Sequence, residues 1–136
     1  MFPSVDKSFI MTIVDLFSRM GEQEGIRTLV DTFYDFMAEL PEAQVILELH
    51  PDNLTESRQK LYEFLVGWSG GPQLYQEKYG HPRLRMRHAP FPIGDDERDQ
   101  WMLCMRKALK KSNFDEEITL FLEQRFLHIA DFMKNV

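Results

Sequence analysis

Residues 79 to 92, reading YGHPRLRMRHAPFP, cannot form a long helix. Pro82, Pro90 and Pro92 each fix their own φ and push the preceding residue away from the α region, so Arg83 to His88 has room for only a turn or two between breaks. This short, stiff stretch holds two histidines and three arginines in a chain whose formal net charge is −6. A helical turn would spread Arg83, Arg85 and Arg87 over different faces, so at most one or two can stand beside a ligand held at His88. An imidazole with guanidinium neighbours suits a metal complex that carries carboxylates.

Around this platform the pattern is helical. Phe9, Ile10, Ile13, Leu16 and Phe17 recur at helical spacing, and Gly21 is a natural stop. A second helix is expected from about Gly25 to Glu39, with Ile26, Leu29, Val30, Phe33 and either Phe36 or Met37 inward, ending before Pro41. Pro41 can open a short turn through Val45, Ile46 and Leu49, and His50, preceding Pro51, belongs to a corner. Asn53 with Glu56 reads as a capping pair for a helix whose inward stripe is Leu54, Leu61, Phe64, Leu65 and Trp68; Gly70, Gly71 and Pro72 end it. After a short segment from Leu74 to Tyr79 and the histidine platform, Asp95 and Asp96 suit a helix N-terminus. That helix carries Trp101, Cys104, Met105, Ala108 and Leu109 and ends at Lys110 and Lys111. A last helix from about Asp115 presents Ile118, Phe121, Leu122, Ile129, Phe132 and Met133. No strand alternation persists, so the fold class is all-α with an irregular middle third.

Composition sets the limits. One domain over residues 1–136 is the simplest reading at this length, and it is large enough for a real core. The acidic balance argues against nucleic acid, because phosphate neutralisation needs a basic face that is lacking outside residues 78 to 88. The single cysteine, Cys104, excludes an intramolecular disulfide and fits a reducing compartment. No apolar run approaches the roughly 20 residues needed to cross a bilayer, and the first 17 residues lack a basic leader before an apolar core. The expected location is cytoplasmic, with no membrane partner.

Several chemistries fail on residue type. A structural zinc site needs about four Cys or His ligands at short spacing, whereas the histidines are only His50, His81, His88 and His128. HExxH and GxSxG are absent, and Gly70–Gly71 lacks the lysine of a P-loop. Haem asks less: one neutral imidazole on iron, an apolar slot, and cations near the propionates. The chain offers all three.

GGP at 70–72, YGHPRLRMRHAPFPI from Tyr79 and RDQWMLCM from Arg98 to Met105 resemble the group II truncated haemoglobins, continuously from about Phe33 to Met105. The resemblance implies a globin-like two-over-two helical sandwich around haem b, with distal helices at 25–39 and 53–69 and a proximal part at 80–135. Residues 1–11 are then an N-terminal extension. It also implies that His88 is the proximal iron ligand, that Tyr34 and Trp101 are the distal residues that stabilise and act on bound ligand, and that Leu61, with Ser57, lies near the iron. Leu61, Phe64, Tyr75, Lys78, Arg85, Phe91 and Trp101 are the expected cofactor-binding residues, with Arg85 the first choice for a propionate.

Two departures from the family pattern stand out. Gly21 is followed by Glu22 where a double glycine is usual, and the corner between 39 and 51 is about three residues longer. That corner puts His50 where relatives often have tyrosine or phenylalanine, so His50 is a possible second iron ligand; alternatively it satisfies a backbone group. Alone, Trp101 would be core, Cys104 a small buried hydrophobe, His81 a capping or surface residue and His128 solvated or half-buried. The resemblance implies reversible binding of dioxygen, nitric oxide and carbon monoxide. The alternative function is a haem enzyme that detoxifies nitric oxide or peroxide with an unidentified reductase. The expected state is a monomer or weak oligomer.

Overall fold

Glycine and proline punctuate the computed structural model of the chain, which describes residues 15–136. The expected positions Phe9, Ile10 and Ile13 and the extension at 1–11 lie outside the described residues. The helices are α1 (Leu16–Arg19), α2 (Glu22–Glu39), a 3-10 turn (Pro41–Ala43), α3 (Gln44–Glu48), α4 (Thr55–Trp68), α5 (Leu74–Tyr79), α6 (Leu84–His88), α7 (Asp95–Lys111) and α8 (Glu116–Phe132). No strand occurs among the described residues, and none of their helices is long and apolar enough to cross a membrane. The layers of the two-over-two sandwich are the pairs α2/α4 and α7/α8, joined where α2 packs on α7.

α2 starts three residues before the expected Gly25. Gly21 and Glu22 both take positive φ, 85° and 58°, which reverses the chain between α1 and α2. Gly25 lies inside the first turn for another reason: a Cβ there would sit 2.0 Å from the Met20 carbonyl oxygen. Glu22 thus adopts a conformation that glycine takes freely. The left-handed penalty of about 1–2 kcal/mol exceeds the roughly 0.3–1 kcal/mol an acidic residue gains in a first helical turn. Glu22→Gly is therefore expected to raise the thermal midpoint, and an unchanged or lower midpoint in a melt followed by circular dichroism contradicts this.

Ile26, Leu29, Val30, Phe33 and Met37 are fully buried as the spacing of α2 requires, while Phe36 lies half-buried beneath Lys111. In the following turn Ile46 is buried, but Val45 is exposed. α4 differs more from its sequence pattern. Tyr62, Leu65 and Val66 are its buried apolar side chains, whereas Leu54, Leu61, Phe64 and Trp68 pack half-buried. The helix has two apolar faces, one on the core and one, with Leu61 and Phe64, on the cavity described below. The expected Asn53–Glu56 pair is only half formed. Asn53 Oδ1 accepts from the Thr55 N–H at 2.9 Å, and Glu56 turns to Lys60, 3.0 Å away.

One charge is sealed in this layer. Glu63 on α4 is 1% exposed; its Oε2 meets Lys78 Nζ at 2.8 Å and its Oε1 accepts from the Tyr79 hydroxyl at 3.3 Å, both from α5. A buried carboxylate is tolerable only when so paired, and the pair fixes α5 to α4. Arg58 ties α4 to α2 through the Asp31 carbonyl and the Asp35 carboxylate, at 3.0 and 2.8 Å.

α7 carries its expected terminal charges, and α8 starts at the expected Asp115, which proves to be its cap. Asp95, Asp96 and Glu97 occupy the first turn of α7 with Lys110 and Lys111 in its last, and Asp115 Oδ1 accepts from the Ile118 N–H at 2.9 Å to start α8. The inward stripe of α8 is corrected in two places. Phe126, not named in the expected stripe, is buried, and Phe132 is 54% exposed. Beyond α8, Asn135 donates to the Phe91 carbonyl at 2.8 Å and accepts from the Ile93 N–H at 3.0 Å, so the end of the chain holds the loop after His88.

Candidate functional site

α6 is confined as its prolines require. It spans five residues, entered through Arg83 at φ 44° and followed by the Ala89–Pro90 turn. Arg87 stiffens the entrance by donating to the carbonyls of Pro82 (2.8 Å) and Tyr79 (3.2 Å). With Leu84 and His88 one turn apart, the helix turns both toward a cavity of about 560 Å³ between the two layers.

His88 Nδ1 lies 2.7 Å from the Leu84 carbonyl oxygen. A carbonyl can only accept, so Nδ1 is the donor in this contact and Nε2 is the ring nitrogen left to meet a metal. His50, at the corner after α3, repeats the arrangement: its Nδ1 is 2.8 Å from the Ile46 carbonyl oxygen, and its ring also lines the cavity. Burial lowers the His50 pKa below its ordinary value; the bond to Ile46 opposes this and His88 adds to it. His50 is therefore a neutral imidazole at neutral pH, with a lone pair on Nε2. The backbone-satisfying role and an orientation toward the cavity coexist in this one side chain.

Tyr34 and Trp101 line the same space from α2 and α7. Both pack on Phe33, with ring centroids at 4.9 and 5.1 Å, so one buried phenylalanine sets the position of two polar aromatics. Burial pushes the Tyr34 phenol well above its ordinary pKa, against the smaller opposite pull of Arg58. The hydroxyl stays protonated and can donate. Neither that hydroxyl nor the Trp101 indole N–H bonds to another side chain or carbonyl among the described residues, so both donors remain available to the cavity.

Leu61, Phe64, Tyr75, Phe91 and Ser57 complete the expected set at this cavity. Lys78 and Arg85 are not brought to it. Lys78 is committed to Glu63, and the Arg85 guanidinium lies over the Phe132 ring, 5.4 Å from its centroid. The cations that do line the cavity are Lys60, Arg87 and Arg98; Arg87 is one of the three arginines expected near His88, whereas Lys60 was not singled out in the sequence. Phe126 was also missed; it lines the cavity and packs against Trp68 with tilted rings and edge-on against Trp101. Its signal was present, since Ile118, Leu122, Phe126 and Ala130 recur at every fourth position. His81 and His128 are exposed, and Cys104 is buried with its thiol pKa pushed up to about 11, an inert core residue.

Residues 15–135 match the family model for bacterial-like globins. The chain is 40% identical over 119 residues to the group 2 truncated hemoglobin YjbI of Bacillus subtilis (strain 168), covering 88% of this chain and 87% of that protein. It superposes with a TM-score of 0.86 on the group II 2-on-2 hemoglobin of Agrobacterium tumefaciens, at 38% identity over 88% of this chain and 93% of that one. It also superposes on a truncated oxygen-avid haemoglobin from Bacillus subtilis with a TM-score of 0.79, at 40% identity over 88% and 98% of the two chains.

Proposed function

The chain belongs to the bacterial-like globin family and, within it, to the group II truncated haemoglobins, and from this we propose that it holds haem b through His88 and reversibly binds dioxygen, nitric oxide and carbon monoxide. The family implies haem and a diatomic gas, and the residues present fit such a group. An apolar cavity of about 560 Å³ is lined by His88, whose Nδ1 is engaged by a carbonyl and whose Nε2 is left for a metal, and Lys60 and Arg87 are cations suited to propionates. The observation that carries the reading is the convergence of His88 with two uncommitted donors, Tyr34 and Trp101, on one cavity.

Haem, when bound, supplies the iron to which a diatomic ligand attaches. The chain supplies the rest. His88 is oriented by the Leu84 carbonyl, which makes its Nε2 a better donor to metal. Leu61, Phe64 and Phe91 line the cavity and would shield a bound haem from water. The Tyr34 hydroxyl and Trp101 N–H would donate to the electronegative end of a bound ligand, which would favour dioxygen over apolar carbon monoxide. The avidity for oxygen named for the Bacillus subtilis relative accords with this arrangement. The test is a titration of the reduced, haem-loaded protein with dioxygen, in which reversible spectral change is expected and rapid irreversible oxidation contradicts the reading.

We further propose that His50 coordinates the iron partially when no gas is present, a population shared between two states of the corner. Its oriented, neutral imidazole on the cavity wall supports this. His50→Ala is expected to remove six-coordinate low-spin bands from the optical spectrum of the gas-free protein. Unchanged bands would exclude His50 from the iron.

A further inference from the structure

The corner that carries His50 is fastened through one residue. α3 is only five residues long, and a helix of that length does not stand alone in water. Its first turn leaves N–H groups with no partner inside the helix. A local cap is missing, because Ala43, the residue before it, is fully buried and has no side-chain acceptor. The acceptor comes from α7, 54 positions along the chain: Gln100 Oε1 accepts from the Ile46 N–H at 3.0 Å. Ile46 is the third residue of α3, where a capping side chain ordinarily bonds. The carbonyl of the same residue holds the histidine, accepting from His50 Nδ1 at 2.8 Å. Ile46 is itself buried and lines the cavity. Two hydrogen bonds through one residue thus run from the neighbour of Trp101 to the imidazole at the cavity wall. Gln100 is half-buried and does not itself line the cavity, so it can reach a bound group only through this route.

We propose that Gln100 is a positioning residue for His50: by capping α3 through the Ile46 N–H, it holds the corner in the conformation that presents the imidazole to the iron. This rests on the coordination by His50 proposed above. In the structure both bonds through Ile46 are made while the His50 ring stands at the cavity beside Tyr34, with ring centroids 5.8 Å apart. The fastened corner is therefore the one that offers His50 to the cavity. Leaving it costs the cap, so Gln100 weights the exchange between the two states toward His50 on the iron. The effect resides in one acceptor atom. A glutamate reproduces that atom, whereas a leucine keeps the packing of the side chain and lacks it.

The test compares the ferric, haem-loaded wild type with Gln100→Leu and Gln100→Glu, by optical spectroscopy without gas and by hydrogen exchange of residues 44–50 read in a mass spectrometer. Gln100→Leu is expected to lower the ratio of low-spin to high-spin haem about two- to tenfold, the size of one hydrogen bond, and to speed exchange in that segment. Gln100→Glu should restore both toward wild type. Gln100→Ala removes the acceptor without adding apolar bulk and should match leucine, which keeps the test decisive if the leucine variant does not fold. In a His50→Ala background, Gln100→Leu should change the spectrum no further. An unchanged ratio in both the leucine and alanine variants overturns the positioning role alone, even where the thermal midpoint falls, and so does a ratio that glutamate fails to restore. A wild-type protein without low-spin bands that depend on His50 overturns the coordination reading and this proposal with it.

Discussion

His88→Ala is expected to lose haem on gel filtration, with retention weakened by well over 100-fold, beyond the 10–100-fold typical when only a partner of a metal ligand is removed. The cavity walls remain, so some pigment is expected to associate loosely through apolar contact, but without the low-spin or high-spin bands of histidine coordination. Free imidazole, small enough to enter where the ring stood, should restore the Soret band in the variant. That rescue separates loss of a ligand from collapse of α6, which is held independently by Arg87 and Asn135. A variant that retains pigment in the wild-type coordination geometry would sink the proposed role of His88, and His50 would be the next candidate.

The second large effect concerns gas release. Tyr34→Phe removes one hydroxyl and keeps the ring packed edge-on against Phe33. A hydrogen bond to a partly charged acceptor is worth about 1.5–3 kcal/mol, so dioxygen should dissociate about 10–150-fold faster from the variant in stopped-flow measurements. Trp101→Phe should act in the same direction. The double variant should fall short of the product of the two, because donors that share one acceptor do not act independently. Carbon monoxide release should change far less. Since burial holds the Tyr34 phenol well above its ordinary pKa, the wild-type dissociation rate should show no inflection between neutral and mildly alkaline pH. Equal release rates for wild type and both single variants would remove these residues from ligand stabilisation.

How much of this was legible depends on how local each determinant is. The limits of α7 and α8 follow from side chains within a turn of the ends: Asp95 and Asp96, Lys110 and Lys111, and the Asp115 cap. The confinement of α6 follows from prolines, which act on their immediate neighbours. Two of the expected cofactor-binding residues, Arg85 and Lys78, lie away from the cavity because long side chains answer to tertiary partners. Arg85 shares a helical face with His88 by spacing but is captured by Phe132, 47 positions along the chain, and Lys78 is captured by a carboxylate hidden inside α4. Glu63 itself gave no sign, since a glutamate on a helix is ordinarily a solvated residue. The stripe of α4 was blurred for a related reason. A helix serving both a core and a cavity has no single apolar face, so Leu61 and Phe64, half-buried at the cavity, were grouped with Leu65, which is buried in the core and also reaches the cavity.

The Glu63–Lys78 contact also bears on how such a sequence can drift. Neither position can be altered alone without stranding a charge or losing the fastening of α5 beneath the cavity, so the two should be inherited as a unit. Among homologues, lineages with an uncharged residue at one site are expected to have one at the other as well. An exchange of the two signs would require both substitutions in close succession.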